Sequence, residues 1–132
     1  MSQIPKPTEA ELEILQILWK NGPSSVRQVH EQLKEARQAA DREEVGYTTT
    51  LKLMQIMADK GLATRDTSTR THIYAHAVKE EDTQQQLLQK FVDATFRGSA
   101  MKLVMQALGN HQTSPEELEE IKALIKKLEK EK

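Results

Sequence analysis

The feature that constrains this chain most is a change in the spacing of its apolar residues, which occurs twice. Up to Gly61, apolar side chains recur every three to four residues, as along one face of an α-helix. From Leu62 to Val78 the spacing shortens to two, which is typical of half-buried strands. From Glu81 onward the helical spacing returns. The sequence therefore predicts helices, then a short β segment, then helices again.

The first two helices have recognisable ends. Thr8 and Glu11 form the capping-box pattern of a helix start, and the Asn-Gly-Pro run at residues 21–23 ends that helix. A second helix is expected to start from Ser24 or Ser25, and Ser25 with Gln28 repeats the capping-box pattern. We expect this second helix to turn Val26, Val29 and Leu33 inward.

A third helix is expected to begin in a threonine cluster and to end at a glycine. The cluster at residues 47–50 is suited to a helix N-terminus, and Gly61 is suited to ending the helix. At 100° per residue, one arc of this helix is mostly apolar and points inward: Tyr47, Thr50, Leu51, Met54, Met57 and Ala58. The other face is short, mainly polar and singly basic: Thr48, Thr49, Lys52 and Ile56.

The β segment has the pattern of a hairpin. Residues 62–65 and 71–78 are predicted strands, and the polar residues 66–70 are the turn between them. Because an isolated hairpin is only marginally stable, it must pack against the helices. Three helices followed by a two-stranded hairpin form a winged helix-turn-helix, and we assign this domain to residues 1–79.

The remaining residues, 80–132, are predicted to form a helical domain. Three amphipathic helices of about 50 residues bury too little surface to enclose a core alone, so their apolar stripes need a partner. A second copy of the chain is the simplest partner, which makes this a dimerisation domain. The predicted dimer contacts are Leu87, Leu88, Phe91, Val92, Phe96, Leu103, Val104, Leu118, Ile121, Leu124 and Ile125. The predicted fold class is therefore mainly α with a small β wing.

Composition excludes several classes of protein. The chain has no cysteine, no glycine-rich phosphate loop and no Gly-x-Ser-x-Gly, so we expect neither an enzyme nor a cofactor. His72 and His76 are four residues apart on a predicted strand, about 13 Å by strand rise, which is too far to share one metal ion. No apolar run is long enough for a membrane span, and we expect no signal peptide and a cytoplasmic location.

The sequence resembles the penicillinase repressor family (the BlaI and MecI type) over nearly its whole length. The resemblance rests on a series of stretches in the same order: Ile14–Pro23, Val26–His30, Tyr47–Thr49, Lys60–Leu62, Tyr74, Phe96–Ser99 and Ser114–Leu118. It implies a dimeric bacterial transcriptional repressor whose winged helix-turn-helix binds double-stranded DNA at a palindromic operator. It also implies a membrane sensor–protease system as a further partner, which inactivates the repressor by cleavage.

Three departures from the family pattern bear on regulation and DNA contact. The absence of cysteine separates this chain from the copper-responsive branch of the family. The stretch Leu103–Ala107 lacks the Asn-Phe pair at which the inducible penicillinase repressors are cut. Ile56 stands where many relatives have arginine, which removes one expected phosphate contact.

The candidate DNA-binding residues follow from the chemistry of the major groove, which presents a distinct pattern of donors, acceptors and methyl groups for each base pair. Short hydroxyl side chains with a longer cation one turn further on suit such a surface, and cations on the wing and on the second helix suit phosphates. We expect these roles for Thr48, Thr49, Lys52, Arg65, Arg70, His72 and Arg27.

Other interpretations of the same residues stay open. The threonines could serve only as caps, Lys52 could be an ordinary surface lysine, and the wing arginines could simply protect a strand edge. The chain has a net charge of -1, whereas DNA-binding domains are commonly basic. A winged-helix adaptor that binds proteins without DNA is therefore the alternative function, and a ligand-sensing regulator is a third.

Overall fold

The computed structural model describes residues 4–110 and 112–132, which form six helices and three short strands. In chain order these are α1 (Glu9–Asn21), β1 (Ser24–Ser25), α2 (Val26–Ala39), α3 (Tyr47–Lys60), β2 (Ala63–Asp66), β3 (Ile73–His76), α4 (Glu80–Phe96), α5 (Ala100–Asn110) and α6 (Pro115–Lys130). The mainly helical fold with a small β wing confirms the predicted fold class.

The chain divides into two compact units, the first ending at Leu88 and the second beginning at Gln89. The border between them falls inside α4, nine residues after the predicted functional boundary at residue 79. The assignment of DNA binding and dimerisation to residues 1–79 and 80–132 stays a prediction.

Helices α1, α2 and α3 pack with the strands around one apolar core in the first unit. The core residues come from every one of these helices and from the β segment: Ile14, Leu15, Leu18, Val26, Val29, Leu33, Met54, Met57, Leu62, Ala63, Tyr74 and Val78. The three inward residues predicted for α2 are all buried. Of the arc predicted for α3, Tyr47 does not join the core, since 45% of its surface is exposed.

The capping boxes are present where the sequence predicts them. Thr8 Oγ1 accepts from the backbone N–H of Glu11, whose carboxylate accepts in turn from the N–H of Thr8. Ser25 and Gln28 make the same pair of hydrogen bonds at α2, and Ser114 heads a third box at α6. Helix α3 begins in the threonine cluster, as predicted, with Tyr47 as its first residue. Gly46 is the N-cap residue, and no side chain caps the helix because the threonines already lie inside it.

The β segment is a three-stranded sheet, not the predicted two-stranded hairpin. The strand order is β1-β3-β2, and both pairings are antiparallel. The added strand is the dipeptide Ser24–Ser25, which pairs with Tyr74 and Ile73. This strand joins the hairpin directly to the start of α2.

The second unit consists of the end of α4 with α5 and α6, and much of its apolar surface is exposed. Of the predicted dimer contacts, six are at least 40% exposed: Leu88 at the end of the first unit, and Phe91, Val104, Leu118, Leu124 and Ile125 in the second. Leu87, Phe96, Leu103 and Ile121 are half-buried, and Val92 is buried within the single chain. Within residues 4–110 and 112–132, no helix is both long and apolar enough to cross a membrane.

Candidate nucleic-acid interface

The outward face of α3 presents a small polar surface. Thr48, Thr49 and Lys52 are exposed, and Ile56 is 38% exposed on the same side. The opposite side of the helix is fixed by Thr50, Met54 and Met57, which are buried. Packing of the buried side therefore holds the first two turns of α3 with their polar side chains in solvent.

A cationic cavity lies beside α3, between this helix, the start of α2 and the β sheet. Its volume is about 530 Å³, and it is lined by Ser25, Val26, Arg27, Tyr47, Leu51, Gln55, Arg65, Arg70, Thr71, His72 and Tyr74. Three of these side chains are arginines, and none of the described lining residues is acidic. A cavity of one charge sign attracts ligands of the opposite sign, in this case anions.

The pairing of β1 with β3 explains why residues distant in the sequence meet at this cavity. Ser25 pairs with Ile73, so that Arg27, two residues further along, lies beside the wing. Arg65 on β2 pairs with Tyr74 of the same β3 strand. The short strand that the sequence did not reveal is therefore what brings α2 and the wing to one site.

The structure brings together four of the seven predicted DNA-binding residues in this cavity: Arg27, Arg65, Arg70 and His72. The other three, Thr48, Thr49 and Lys52, lie on the exposed face of α3. The sequence missed Tyr47 and Gln55, which also line the cavity. Tyr47 and Gln55 each lie four residues from Leu51, and this spacing is the signal that could have identified a cavity-facing edge of the helix.

The turn of the wing is held by local hydrogen bonds. The carboxylate of Asp66 accepts from the backbone N–H of Ser68 at 2.9 Å, and Thr69 Oγ1 donates to the carbonyl of Thr71 at 2.7 Å. Hydrogen bonds from Ser68 lower the pKa of Asp66, and the nearby His72 contributes in the same direction. The wing residues on either side of this turn therefore have a defined backbone.

The loop that leads from α2 into α3 is anchored by a charge network. Arg37 Nη1 donates to both carboxylate oxygens of Glu13 on α1, at 2.8 and 2.9 Å, and Arg42 Nη1 donates to one of them at 2.6 Å. Arg37 Nε also donates to the backbone carbonyl of Glu43 at 2.6 Å. These contacts tie the loop before α3 to the first two helices.

Comparison with known proteins assigns the chain to a family. The model of the penicillinase repressor family matches residues 7–127. The chain belongs to the penicillinase repressor family. This family consists of transcriptional repressors with a DNA-binding winged helix, so its members are not enzymes.

Individual members and structures of this family are distant in sequence. A penicillinase repressor of Bacillus licheniformis is 24% identical over 125 residues, which span 95% of this chain and 93% of that protein. The solution structure of the DNA-binding domain of the repressor BlaI is similar at a TM-score of 0.50 and 22% identity, over 62% of this chain and 93% of that domain. This likeness shows the winged-helix fold. The solution structure of monomeric Bacillus licheniformis BlaI with the blaP half-operator gives a TM-score of 0.48, at the same identity and coverage.

Proposed function

We propose that this repressor acts as a homodimer on a palindromic operator, with α3 of each copy in the major groove. The observation that carries the proposal is the cationic cavity beside the polar face of α3. Arg27, Arg65 and Arg70 converge there with His72, and the described lining contains no carboxylate to neutralise them. An α-helix fits into the major groove of DNA, and a group of cations beside such a helix is suited to binding the phosphates that flank the groove.

Each part of this surface has a distinct proposed role. Thr48 and Thr49 offer hydroxyl and methyl groups to base edges, and Lys52 reaches a phosphate or a guanine one turn further along α3. The arginines of the cavity bind phosphates and so set the position of the helix. These phosphate contacts carry no sequence information by themselves. The base contacts then supply specificity.

We propose that the second unit joins two copies of the chain through its exposed apolar stripe. Exposed leucine, isoleucine and phenylalanine side chains on α4 and α6 lose contact with water when they pair with a second copy. The two α3 helices would then reach one side of the duplex at half-sites separated by a multiple of about 10 bp. We place this action in the cytoplasm, because that is where bacterial operator DNA lies.

We further propose that the operator is released when the dimer is weakened. Proteolysis by a membrane sensor–protease system is the route that the family implies. Leu103–Ala107 contains no Asn-Phe pair, so a protease acting there would need a different preference.

Selection of duplexes from a random pool, followed by titration at several salt concentrations, tests DNA binding. If Arg27, Arg65, Arg70 and Lys52 each neutralise one phosphate in both copies, the slope of log K against log salt is about -7. The selected duplexes should be palindromic. A protein-binding adaptor predicts the opposite result, namely no enriched sequence and no steep salt dependence.

The substitution Lys52→Ala tests whether α3 carries the contact surface. Loss of one phosphate contact per copy should reduce the salt slope by about 2 and weaken binding of the selected duplex. Lys20→Ala is the matched control, since Lys20 is an exposed lysine in the last turn of α1. Equal effects of the two substitutions on slope and affinity would contradict a specific role for α3.

A further inference from the structure

The first turn of α3 lacks the side-chain cap that begins α1, α2 and α6. At α1, α2 and α6 the N-cap side chain accepts from a backbone N–H of the first turn. At α3 the N-cap residue is Gly46, which has no side chain to do so. An uncapped helix start leaves its first N–H groups without internal partners and frays more readily. This turn nevertheless contains Thr48 and Thr49, the side chains proposed to contact bases.

A side chain from α2 supports this turn at one point through a hydrogen bond. His30 Nδ1 lies 3.1 Å from Oγ1 of Thr50, which is fully buried. The Thr50 hydroxyl lies 3.3 Å from the carbonyl of Gly46 and donates its single hydrogen to it. The Thr50 oxygen is therefore the acceptor towards His30, and His30 Nδ1 carries the hydrogen that it donates.

The same imidazole supports the turn at a second point through its ring. The rings of His30 and Tyr47 lie 5.5 Å apart between centroids, at an interplanar angle of 78°, which is the favourable edge-to-face arrangement. Tyr47 and Thr50 are the residues immediately before and after Thr48 and Thr49. One side chain of α2 thus contacts both residues that bracket the exposed threonines.

We propose that His30 is a positioning residue for sequence recognition, which fixes the first turn of α3 and through it the two exposed threonines. The inference rests on the proposed function, because it assigns a source of specificity to the same surface. His30 does not need to touch DNA for this role. Its loss is expected to impair recognition of bases and to spare binding of phosphates, since the cations of the cavity belong to other residues.

Two substitutions at His30 separate the hydrogen bond from the ring contact. His30→Phe keeps an aromatic ring beside Tyr47 and removes the donor to Thr50. His30→Asn removes the ring, but its amide nitrogen can take the place of Nδ1 and donate to Thr50. Gln32→Phe is the matched control, because Gln32 is an exposed residue of the same helix. Thr50→Val removes the hydroxyl at nearly constant volume and tests the same hydrogen bond if His30→Phe folds poorly.

The measurements use the full chain, the duplex that the wild-type chain selects from a random pool, and a duplex of random sequence. For His30→Phe we expect about tenfold weaker binding of the selected duplex, the effect of one lost hydrogen bond, and binding of random duplex within about twofold of wild type. His30→Asn should retain most of the preference for the selected duplex. Gln32→Phe should behave as wild type.

A second readout requires no DNA. Hydrogen exchange of the backbone amides at residues 50–52, which donate to the carbonyls of residues 46–48 and so depend on an intact first turn, should be faster in His30→Phe than in the wild type, with exchange at residues 54–58 unchanged.

The outcomes distinguish this inference from the proposed function. If the wild-type chain selects no duplex, the proposed function fails before His30 is tested. If it selects one and His30→Phe weakens both duplexes equally, His30 is merely structural and the inference is wrong. Unchanged exchange at residues 50–52 together with unchanged preference would likewise overturn it.

Discussion

At the scale of single residues, Gly61 shows how one backbone conformation ends the proposed recognition helix. Gly61 has φ +86° and ψ 12°, the left-handed conformation, and the N–H of Leu62 donates to the carbonyl of Met57 at 2.9 Å. A Cβ added there would lie 3.8 Å from Cγ of Pro5, an ordinary contact. The cost of Gly61→Ala is therefore conformational, and we expect about 1 kcal/mol of lost stability in urea unfolding.

Gly109→Ala is the control for this prediction. Gly109 lies in α5 and has no atom within 4 Å of an added Cβ, so alanine should be neutral or stabilising by a few tenths of a kcal/mol. If both substitutions lowered stability equally, the left-handed conformation of Gly61 would not be the cause.

Thr83 in α4 provides a prediction of opposite sign. Its side chain is buried, and its hydroxyl has no hydrogen-bond partner among the described residues. Thr83→Val removes the unpaired hydroxyl at nearly constant volume, and we expect about 1 kcal/mol of added stability in thermal or urea unfolding. Thr83→Ser, which keeps the hydroxyl and removes the methyl group, should lower stability. A lower stability for valine would mean that the hydroxyl is satisfied in solution.

At the scale of elements, Glu11 joins the start of α1 to the end of α3. Its buried carboxylate accepts from the N–H of Thr8 at 2.9 Å and from Nζ of Lys60 at 2.6 Å. Burial by itself raises the pKa of Glu11, but the hydrogen bonds from Lys60 and Thr8 outweigh it and leave the pKa below its ordinary value of 4.5. The lowered pKa means that the charged carboxylate stabilises the fold at neutral pH and that this contribution is lost as the pH falls below about 4.5.

Glu11→Gln tests this connection. Glutamine keeps an acceptor for Thr8 but loses the charge opposite Lys60, so we expect a loss of about 1 kcal/mol at pH 7. The difference from wild type should shrink below pH 4, where the wild-type carboxyl gains its proton. Glu9→Gln is the control, since Glu9 is an exposed acid in the same helical turn. A difference that persists unchanged at low pH would contradict the charge-based explanation.

The elements that the sequence predicted well are those with local causes. The capping boxes at Thr8, Ser25 and Ser114 involve residues three apart, so each can be identified within one window of sequence. Strand β1 has no such local cause, because Ser24 and Ser25 pair with residues about fifty positions away. Its two residues also precede a helix directly, where they were interpreted as part of the helix start.

The same distinction applies to the candidate interface. The cations of the wing and the polar face of α3 were predictable, since charge and helical spacing are visible in the sequence. The support of α3 by His30 was not predictable, because it depends on the packing of α2 against α3, and His30 and Thr50 are twenty positions apart in the sequence. Tyr47 was assigned to the core from its angle on the helix, yet it is 45% exposed, lines the cavity and contacts the ring of His30.

At the scale of the whole molecule, the weak overall charge makes the proposed dimer central to DNA affinity. The chain has a net charge of -1, and its cationic cavity contains only three arginines. One winged-helix domain therefore gains little from long-range attraction to DNA. When two such domains are linked in a dimer, binding of the first half-site raises the effective concentration of the second domain at the other half-site. Disruption of the dimer should cost far more affinity than the loss of any single side chain.

Leu124→Glu in the full chain tests this dependence. Leu124 is 55% exposed and belongs to the apolar stripe of α6, so a charge there should destabilise the dimer and leave the first unit folded. We expect sedimentation to show monomers and the affinity for the selected duplex to fall at least a hundredfold. Ala123→Glu adds the same charge away from the stripe and should leave both properties unchanged, since at 100° per residue position 123 lies about 140° to 160° from Leu118, Ile121 and Ile125. Full affinity in a monomeric Leu124→Glu chain would show that each winged-helix domain binds DNA on its own, and the repressor would then need no second copy to occupy its operator.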